Sequence, residues 1–430
     1  MNRTLAQWLE WQESLHLSSI DLGLDRVGSV AAKMALTQLS MPVITIAGTN
    51  GKGSSVAILD SLYRAASYKT GCYTSPHLMR YNERICIGGS QASDTDLCEA
   101  FEAIDTARGD ISLTYFEFGT LAAAYLFRKH QVDVAIFEVG LGGRLDAVNL
   151  WDADIALITN IDIDHIDWLG DDREQIGVEK AGIMRKGRTV ICGDPNPTDS
   201  MQSEALRIGA TLLQQGVDFS WRKQTDTPTD PSIWVYQNGQ DELINYPIPS
   251  LRGSFQLNNA AAVITLAKHF HKTLPVSDTQ ISQGLKRAAV LGRLQKLADS
   301  PEILVDVAHN PQSSAALGSY LTNNPIQGQT VALFSALVDK DLKGIVDPLI
   351  DCFDDWQIVQ LEGPRSYQNK HLVSELKALG IQKSLKTHTN FKTALESLQN
   401  DLKSQDRVVA FGSFLVVSGV MQGFNTSTKD

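Results

Sequence analysis

The stretch TIAGTNGKGSSVAIL at residues 45–59 runs from an apolar segment through a glycine-rich loop into a potential helix. A common phosphate-binding loop ends in Gly-Lys-Ser or Gly-Lys-Thr, so that backbone N–H groups surround the phosphates and the hydroxyl reaches Mg²⁺. Here Gly53 separates Lys52 from Ser54. The stretch is therefore either a tight strand-to-helix turn with a chance cluster of glycines or a related phosphate loop with its own spacing.

Apolar strands alternate with helical segments on the C-terminal side of this loop. The segment TYFEFGTLAAAYLFRKH, for example, has helical character. Four apolar runs have the length and the β-branched content of buried parallel strands, and they cover residues 42–48, 132–140, 153–161 and 189–193. The alternation predicts a doubly wound α/β domain, in which ligands bind at the carboxyl ends of the strands.

The pattern changes in the second half of the sequence. Residues 216–249 are polar with Trp and Tyr, and the NG in SIWVYQNGQDELINY, flanked by alternating residues, predicts a β-hairpin. A helix around QLNNAAAVITLAKHF follows, and a second series of strands and helices begins after Gly292. We expect a domain boundary near residues 291–296, which gives a first domain at residues 1–290 that contains the glycine-rich loop and a smaller α/β domain at residues 291–430.

The composition limits the classes of function. A chain of 430 residues with 43% hydrophobic content is large enough for two or three globular domains. The formal net charge of -11 argues against a general nucleic-acid binder, so local Lys, Arg, helix N-termini and Mg²⁺ must meet any phosphorylated ligand. The N-terminus lacks the apolar core of a signal peptide, and no run is long enough to cross a bilayer.

The cysteines are scattered and form no CxxC pair. This pattern is typical of reduced thiols in a cytoplasmic protein, and it disfavours a zinc site. The five cysteines are Cys72, Cys86, Cys98, Cys192 and Cys352.

Polar side chains crowd the ends of two predicted strands. One strand leads into EVGLGGRLDAVN at residues 138–149, and the next leads into IDIDHIDWLGDDREQIGVEKAGI at residues 161–183. Glu138 directly closes an apolar strand, which favours a Mg²⁺ ligand over a helix cap or a salt-bridge partner of Arg144. Both loops are expected at the same edge of the sheet.

Three further polar residues have ordinary structural explanations when each is taken alone. His165 fits a loop histidine that makes one hydrogen bond, and Ser75 fits a turn hydroxyl. Lys180 fits a solvated helix residue that pairs with Glu174 or Glu179. A functional interpretation of these residues depends on the motifs that surround them.

Nine motifs occur together in the order and spacing of one known family. They are GTNGKGS, TSPHLMRYNERI, LTYFEFGT, EVGLGGRLDAVN, DHIDWLG, REQIGVEKAGI, LGRLQ, DVAHNP and FGSF. The sequence resembles the bifunctional dihydrofolate synthase/folylpolyglutamate synthase family of the ATP-dependent Mur ligase superfamily, where GTNGKGS-type loops carry the inserted glycine. The resemblance covers essentially the whole chain. It implies a Mur-ligase-like α/β fold with a P-loop doubly wound central domain and a smaller Rossmann-like C-terminal domain.

The resemblance implies a nucleotide site. The matching phosphate-loop residues are Thr49, Asn50, Gly51, Lys52, Gly53 and Ser54. Further ATP-contacting positions match Asn259, Arg293 and Asp306. Because Arg293 and Asp306 lie at or after the hinge, ATP is expected between the two domains, with His309 as an active-site residue of the second domain.

The resemblance also implies metal ligands. Ser75 and Glu138 match the ligands of one Mg²⁺, and His165 matches a ligand of a second. Lys180 matches the lysine that is carbamylated in the superfamily, and a carbamate is an oxygen ligand for Mg²⁺, which an ammonium cannot be. The implied cofactors are ATP, two Mg²⁺ ions and the carbamate on Lys180. The implied catalytic residues are Lys52, Lys180, His165 and His309.

Two stretches resemble substrate-binding segments of the family. SSIDLGLDRV is similar to the segment that contacts the pterin, and LTYFEFGT is similar to the pteroate-binding stretch, where an aromatic ring can stack on the flat pterin. The implied substrate-binding residues are Ile20, Asp21, Leu22, Thr114, Tyr115, Phe116, Glu117 and Leu145. One departure is Phe255-Gln256, where many relatives have His-Gln, so the adenine or ribose contact at that place stays open.

The implied activity is that of an ATP-dependent ligase, which adds L-glutamate to 7,8-dihydropteroate and to the γ-carboxylate of reduced folates through an acyl phosphate. This chemistry needs no covalent enzyme nucleophile. A monofunctional folylpolyglutamate synthase, a Mur-type peptidoglycan ligase and a non-enzymatic nucleotide-binding regulator are the alternatives. The IDLGLDRV segment favours the bifunctional enzyme over the monofunctional one, and the joint presence of Glu138, His165 and Lys180 argues against the regulator. We expect small-molecule partners, no nucleic acid, no membrane and a cytoplasmic monomer.

Overall fold

The computed structural model describes residues 3–16, 18, 20–223, 233–239 and 242–427. The chain folds into two compact units. The first unit comprises Met1–Ser250 and Gln256–Ala289, and the second comprises Leu251–Phe255 and Val290–Asp430. The short segment Leu251–Phe255 thus belongs to the second unit although it precedes the last two helices of the first.

Within the described residues, eight strands form the main sheet of the first unit in the order β4-β3-β2-β5-β1-β6-β7-β8. The strands from β2 to β8 in this order are parallel, and β3 and β4 extend one edge in antiparallel pairing. Their bounds are β1 Val43–Ala47, β2 Thr70–Tyr73, β3 Ile85–Ile87, β4 Ser90–Gln91, β5 Val134–Glu138, β6 Ile155–Ile158, β7 Thr189–Cys192 and β8 Thr211–Gln214.

The central strands are continuous apolar runs because helices cover both faces of a parallel sheet. Every residue of β1, β5 and β6 is buried. The helices of this unit are α1 Leu5–Leu15, α2 Asp25–Lys33, α3 Lys52–Ala65, α4 Asp94–Arg108, α5 Tyr115–Lys129, α6 Ile166–Leu169, α7 Arg173–Ala181, α8 Asp199–Ile208, α9 Gln256–His269 and α10 Asp278–Arg287. Two short 3-10 helices span Tyr81–Arg84 and Ala147–Leu150.

The predicted hairpin is confirmed, and it belongs to a small sheet. Strands β10 Ile233–Asn238 and β11 Glu242–Pro247 pair in antiparallel fashion, and β9 Phe219–Lys223 pairs with the other edge of β10. The side chains of Trp234, Tyr236 and Tyr246 are buried. Part of the turn of this hairpin lies outside the described residues.

The second unit is a second α/β fold, as the sequence predicts. Its sheet, in the described part of the chain, has the strand order β12-β13-β17-β14-β15-β16, and only β12 is antiparallel to its neighbour. The strands are β12 Gln295–Asp299, β13 Glu302–Val305, β14 Thr330–Phe334, β15 Asp355–Val359, β16 Leu385–His388 and β17 Arg407–Phe411. The helices are α11 Pro311–Asn323, α12 Leu342–Val346, α13 Asn369–Ala378, α14 Phe391–Asp401 and α15 Phe414–Ser427, with a 3-10 helix at Asp347–Leu349.

The sheet order of the first unit determines where its polar loops meet. Strand β1 lies between β5 and β6, and β2 lies on the far side of β5. Because these four strands are parallel, their carboxyl ends are at one edge, and the loops after them are neighbours there. This is the edge that the sequence analysis assigned to ligand binding. No helix among the described residues is both long and apolar enough to cross a membrane.

Candidate active site

The loop after β1 wraps tightly around the N-terminus of α3. Gly51 is the N-cap of α3 and has a left-handed backbone with φ of 84°, which glycine adopts without a steric penalty. A Cβ on Gly48, which also has positive φ, would lie 1.8 Å from Thr159 Oγ1, and one on Gly51 would lie 2.6 Å from Asn259 Oδ1. Both glycines are thus required by close approach as well as by backbone conformation.

The end of β6 holds this loop in place. The Thr159 hydroxyl donates to the carbonyl of Asn50 at 2.6 Å, and the Asn50 N–H donates to Asn160 Oδ1 at 2.8 Å. One residue before Asn50, Thr49 Oγ1 donates to the carbonyl of Asp162 at 2.9 Å and accepts from the Asp162 N–H at 3.0 Å. These contacts immobilise the backbone of the loop from Thr49 to Gly51. The sequence analysis missed Thr159, Asn160 and Asp162 because their roles depend on the strand order.

The lysine of the loop is directed back over its own backbone. Lys52 Nζ donates to the carbonyl of Gly48 at 2.8 Å and to the carbonyl of Thr49 at 3.1 Å. A phosphate-binding lysine has to lie over the loop in this way to meet the charge of a ligand that the backbone N–H groups surround. This geometry is compatible with the predicted phosphate loop.

A chain of amides supports the loop from helix α9. Gln256 Nε2 donates to Ser54 Oγ at 3.2 Å, and Asn259 Nδ2 donates to Gln256 Oε1 at 2.9 Å. Asn259 is also the residue that a Cβ on Gly51 would meet. Phe255 belongs to the second unit and packs against the core of that unit. Phe255 and Gln256, which stand where many relatives have His-Gln, therefore have different structural roles.

Glu138 closes β5 and lies beside the phosphate loop. Its side chain is buried, and Oε2 accepts the backbone N–H of Ser75 at 3.2 Å. A Cβ on Gly53 would approach the two carboxylate oxygens of Glu138 to 3.8 Å and 3.9 Å. The inserted Gly53 therefore lies beside the Glu138 carboxylate and places no side-chain atom between it and the loop.

Lys180 is a buried cation in the last turn of α7. Its residue is only 3% exposed, which excludes the solvated helix lysine considered as the alternative. Burial and, to a smaller extent, the charge of Lys52 lower the pKa of the Lys180 ammonium to about 7, with Asp164 acting in the opposite direction. Lys180 thus lies within electrostatic range of the phosphate-loop lysine and of the loop after β6.

The acidic neighbours of Lys180 in sequence have other partners. The Glu179 carboxylate accepts two hydrogen bonds from Arg144 at 3.1 Å and 2.7 Å, and the Glu179 carbonyl accepts the Arg144 N–H at 2.9 Å. Glu174 accepts the backbone N–H groups of Asp199 and Ser200 instead. Arg144 therefore ties the glycine-rich loop after β5 to helix α7, and its ion-pair partner is Glu179.

His165 lies at the N-terminus of the short helix α6 in a left-handed conformation with φ of 55°. Its side chain is exposed, and its N–H donates to Asp164 Oδ1 at 2.8 Å. Nowhere in the described ranges do three His, Cys, Asp or Glu side chains gather closely enough to hold a metal ion by themselves. A metal ion at this edge would therefore need hydroxyl, carbamate or phosphate oxygens as well.

Asp146 is a buried carboxyl in the glycine-rich loop after β5. It accepts the backbone N–H groups of Leu141 at 2.8 Å and Val148 at 3.0 Å. Burial raises the pKa of the Asp146 carboxyl to about 7, while these hydrogen bonds and the charge of Lys52 act in the opposite direction. The sequence analysis did not select Asp146, although a carboxylate directly after GLGGRL was a signal that could have done so.

The two stretches selected as substrate-binding meet in the structure. Asp21 pairs with Arg26 Nη1 at 2.7 Å, and Arg26 Nη2 pairs with buried Glu117 Oε1 at 3.2 Å. The other Glu117 oxygen accepts the N–H of Thr114 at 2.7 Å in the capping box of α5. The N–H of Gly23 donates to the carbonyl of Leu145 at 3.2 Å. Ile20, Asp21, Leu22, Leu145 and the start of α5 therefore form one region, and sequence reasoning missed Arg26.

Aromatic rings line the neighbouring start of α5. The Tyr115 ring lies 5.5 Å from that of Tyr81 and 5.3 Å from the Arg84 guanidinium, and burial raises the pKa of Tyr115 to about 12. The Phe116 ring packs against Gly140, where a Cβ would lie 2.7 Å from ring atoms. The residues from Thr114 to Glu117 are thus held by capping and ring packing.

The three residues selected in the second unit lie at the carboxyl end of β13. Asp306 is buried and accepts the N–H groups of Leu294 at 2.7 Å and Ala308 at 2.8 Å. Burial raises the pKa of the Asp306 carboxyl, while the positive charge of Arg293 acts in the opposite direction. The Arg293 guanidinium lies 5.3 Å from the Phe414 ring, and the His309 ring lies 5.7 Å from the same ring. Asp306 thus orders the turn that carries Arg293.

Two family models match the chain, the Mur ligase middle domain at residues 46–267 and the Mur ligase glutamate ligase domain at residues 292–414. A dihydrofolate synthase/folylpolyglutamate synthase of Escherichia coli (strain K12) is 41% identical over 418 residues, which cover 97% of this chain and 95% of the relative. The chain belongs to this family.

Solved structures of the dihydrofolate synthase/folylpolyglutamate synthase family have the same fold. E. coli FolC in complex with DHPP and ADP matches with a TM-score of 0.92 and 39% identity, and the match covers 99% of each chain. A bifunctional folylpolyglutamate synthase/dihydrofolate synthase with Mn, AMPPNP and L-glutamate bound matches with a TM-score of 0.89 and 39% identity over 98% of each chain. The expected Mur-ligase-like fold is therefore confirmed.

Proposed function

We propose that this chain is an ATP-dependent ligase that joins L-glutamate to 7,8-dihydropteroate, giving dihydrofolate, and to the γ-carboxylate of reduced folates. The observation that carries the proposal is the arrangement at one sheet edge. The phosphate loop, the Glu138 carboxylate beside Gly53 and the buried, weakly basic Lys180 lie there together. The aromatic and charged region around the start of α5 belongs to the same unit.

The reaction proceeds in two steps. A carboxylate oxygen of the pteroate or folate attacks the γ-phosphorus of ATP, and the bond from that phosphorus to the ADP oxygen breaks, which leaves an acyl phosphate. The α-amine of L-glutamate then attacks the acyl carbon, the bond to phosphate breaks, and the amine loses a proton as the amide forms. Lys52 offsets the negative charge that the two anions bring together.

We propose Ser75, Glu138, His165 and a carbamate on Lys180 as the residues that hold two Mg²⁺ ions. The proposal is supported by the closeness of the Glu138 carboxylate to Gly53 of the phosphate loop and by the lowered pKa of Lys180, since only a neutral amine combines with CO₂. When bound, Mg²⁺ supplies charge stabilisation at the transferring phosphoryl group. The chain's own residues position the phosphates and keep the Lys180 amine buried.

Residues of both units are assigned to the substrates. Thr49, Asn50, Gly51, Lys52 and Asn259 are proposed to hold the phosphates and ribose of ATP, and Arg293, Asp306 and His309 are proposed to contribute contacts from the second unit. The support is the order of the turn around Asp306, which fixes Arg293. We further propose that the enzyme acts as a monomer in the cytoplasm, which its free cysteines suit.

One assay separates the proposed function from its alternatives. The purified chain is incubated with ATP, Mg²⁺ and L-glutamate, and phosphate release is followed with 7,8-dihydropteroate and with tetrahydrofolate side by side. The bifunctional enzyme releases phosphate with both acceptors. Release with tetrahydrofolate alone would identify a monofunctional folylpolyglutamate synthase, and release with neither would reject the proposal.

We predict that Glu138→Gln and His165→Ala each lower turnover by about 100-fold or more, because both remove an oxygen or nitrogen ligand from the proposed metal sites. Neither change leaves a cavity in the apolar core, since His165 is exposed and glutamine matches the volume of Glu138. The measurements are the rate at saturating Mg²⁺ and the thermal midpoint of each variant. Near-normal rates in either variant would contradict the metal assignment.

A further inference from the structure

Arg26 is a cation at an unusual place, the first turn of helix α2. A positive charge near a helix N-terminus is disfavoured by the helix dipole, so the position needs compensation from nearby anions. Arg26 has two of them. Its Nη1 lies 2.7 Å from Asp21 Oδ2, and its Nη2 lies 3.2 Å from Glu117 Oε1 and donates to the Asp21 carbonyl at 2.9 Å.

Glu117, the second of these anions, needs a cationic partner. Glu117 is 2% exposed, and a buried carboxylate persists in its charged form only when it is paired and hydrogen-bonded. Arg26 is the one cation within ion-pair distance of Glu117 in the described part of the chain. The remaining Glu117 oxygen is used by Thr114 in the capping box. Glu117 thus anchors Arg26 to the start of α5.

The segment that Arg26 restrains is the one assigned to the pterin. Residues 20–24 precede α2 without helical structure. They are held by the ion pair from Arg26 to the Asp21 carboxylate, by the hydrogen bond from Arg26 to the Asp21 carbonyl, and by the hydrogen bond from Gly23 to the Leu145 carbonyl. His16 Nε2 adds one contact to Asp21 at 3.4 Å. The guanidinium fork is suited to this task because it can hold a side-chain carboxylate and a backbone carbonyl of one residue in a rigid geometry.

We infer that Arg26 is a positioning residue for the pterin-bearing substrate: it fastens the segment at residues 20–22 to the buried Glu117 at the start of α5, so that both halves of the substrate region are presented together. This inference rests on the proposed function for the identity of the substrate. The three contacts of the Arg26 guanidinium are all made by its Nη atoms, since the buried Nε has no hydrogen-bond partner. A segment that is already ordered binds its substrate more tightly, because binding does not have to offset the entropy lost when the segment becomes ordered.

The test compares variants of the full chain in two measurements, equilibrium binding of 7,8-dihydropteroate and steady-state kinetics with ATP and L-glutamate. For Arg26→Gln we expect the dissociation constant and the KM for dihydropteroate to rise by about tenfold or more, with the KM for ATP and the kcat nearly unchanged. Arg26→Lys keeps the charge beside Glu117 but cannot reproduce the fork, so its dihydropteroate constants should lie between those of the wild type and Arg26→Gln.

A double variant distinguishes weaker substrate binding from a loss of folding. Arg26→Gln leaves Glu117 buried and unpaired, whereas the double change Arg26→Gln with Glu117→Gln removes both charges and should restore the thermal midpoint while dihydropteroate binding stays weak. The matched control is Arg207→Gln, which removes an arginine paired with Glu204 on exposed α8 and should leave all constants unchanged.

The outcomes are distinct. Unchanged dihydropteroate constants in a folded Arg26→Gln protein, or a double variant that regains wild-type binding, would overturn the positioning role. Equal losses in all kinetic parameters, in proportion to the folded fraction, would reduce Arg26 to a structural residue. A wild-type chain that binds dihydropteroate without turnover would reject the proposed function but leave the inference testable by binding, and a wild-type chain that does not bind it would overturn both.

Discussion

Lys180 shows how burial alone changes what a side chain can do. An exposed lysine is protonated at neutral pH and cannot combine with CO₂. Burial and the nearby charge of Lys52 lower the pKa of Lys180 to about 7, so neutral amine is available there near neutral pH. The proposed carbamate would form by attack of that amine on CO₂ with release of a proton, and it would have the oxygens that a hard cation prefers.

We predict that Lys180→Ala lowers ligase turnover by about 100-fold or more. A short carboxylic acid added to the medium should restore part of the rate, because it can take the place of the carbamate. The control is Lys186→Ala, at an exposed position after the same helix, which should keep wild-type turnover. Wild-type rates in Lys180→Ala would refute the carbamate.

Asp146 shows the opposite shift in a carboxyl. Burial raises its pKa to about 7, so the folded state holds a proton that the unfolded chain, with a pKa near about 4, has already lost. The stabilisation that this proton provides is fully present at low pH and is lost as the pH rises through about 7. The loop that Asp146 supports should therefore weaken toward neutral pH.

We predict that the free energy of unfolding of the wild type falls between about pH 4 and about pH 7 relative to that of Asp146→Asn, because asparagine cannot ionise. Urea unfolding at several pH values measures the difference. Asp110→Asn, at an exposed position, is the control and should follow the wild-type slope. A parallel slope in Asp146→Asn would show that Asp146 is ionised throughout this range.

At the scale of elements, the junction of β1, α3 and the end of β6 determines the phosphate loop. A glycine-rich segment is flexible by itself, and its ordering costs entropy. The hydroxyl of Thr159 and the amide of Asn160 supply that order by binding the carbonyl and the N–H of Asn50. The absence of a Cβ at Gly48 lets the strand end approach.

We predict that Thr159→Val raises the KM for ATP by about tenfold, with a smaller effect on kcat, since valine has nearly the same volume but leaves the Asn50 carbonyl without its donor. Steady-state kinetics at saturating dihydropteroate provide the measurement. Thr95→Val, on the exposed surface of α4, serves as the matched control. An unchanged KM for ATP would mean that the loop keeps its conformation without the hydroxyl.

At the scale of the whole molecule, the chain divides its proposed tasks between two units. The first contains the phosphate loop, the proposed metal ligands and the substrate region, and the second contains Arg293, Asp306 and His309. Each unit has its own sheet and its own buried hydrophobic residues. Units built in this way can fold separately.

We predict that a fragment ending at residue 290 unfolds cooperatively and binds nucleotide but forms no amide, because it lacks the proposed active-site residues Arg293, Asp306 and His309. Circular dichroism during heating, ADP binding and phosphate release check the three parts of this prediction. The full-length chain under identical conditions is the control. Measurable ligase activity in the fragment would contradict the assignment of catalytic contacts to the second unit.

The sequence by itself determined the succession of strands and helices, the hairpin, the two α/β series and the family, because hydrophobic periodicity, turn residues and motif spacing are local properties of a chain. It also identified Lys52, Glu138 and Lys180 as candidates. The burial and the partners of these three side chains could not be predicted from the sequence. The alternative of a solvated Lys180, which the local sequence alone favoured, is excluded by its burial, and burial depends on which segments pack around a residue.

Only the tertiary structure decided the partners across long sequence separations. Arg26 meets Glu117 after 91 residues and Thr159 meets Asn50 after 109 residues, and Arg144 meets Glu179 after 35 residues. No local pattern encodes such pairs, because strand order and crossover connections bring the segments together. A charged group or a hydroxyl holds a distant segment in place only when neighbouring residues exclude water from the contact. The packing of the whole sheet determines which residues those neighbours are.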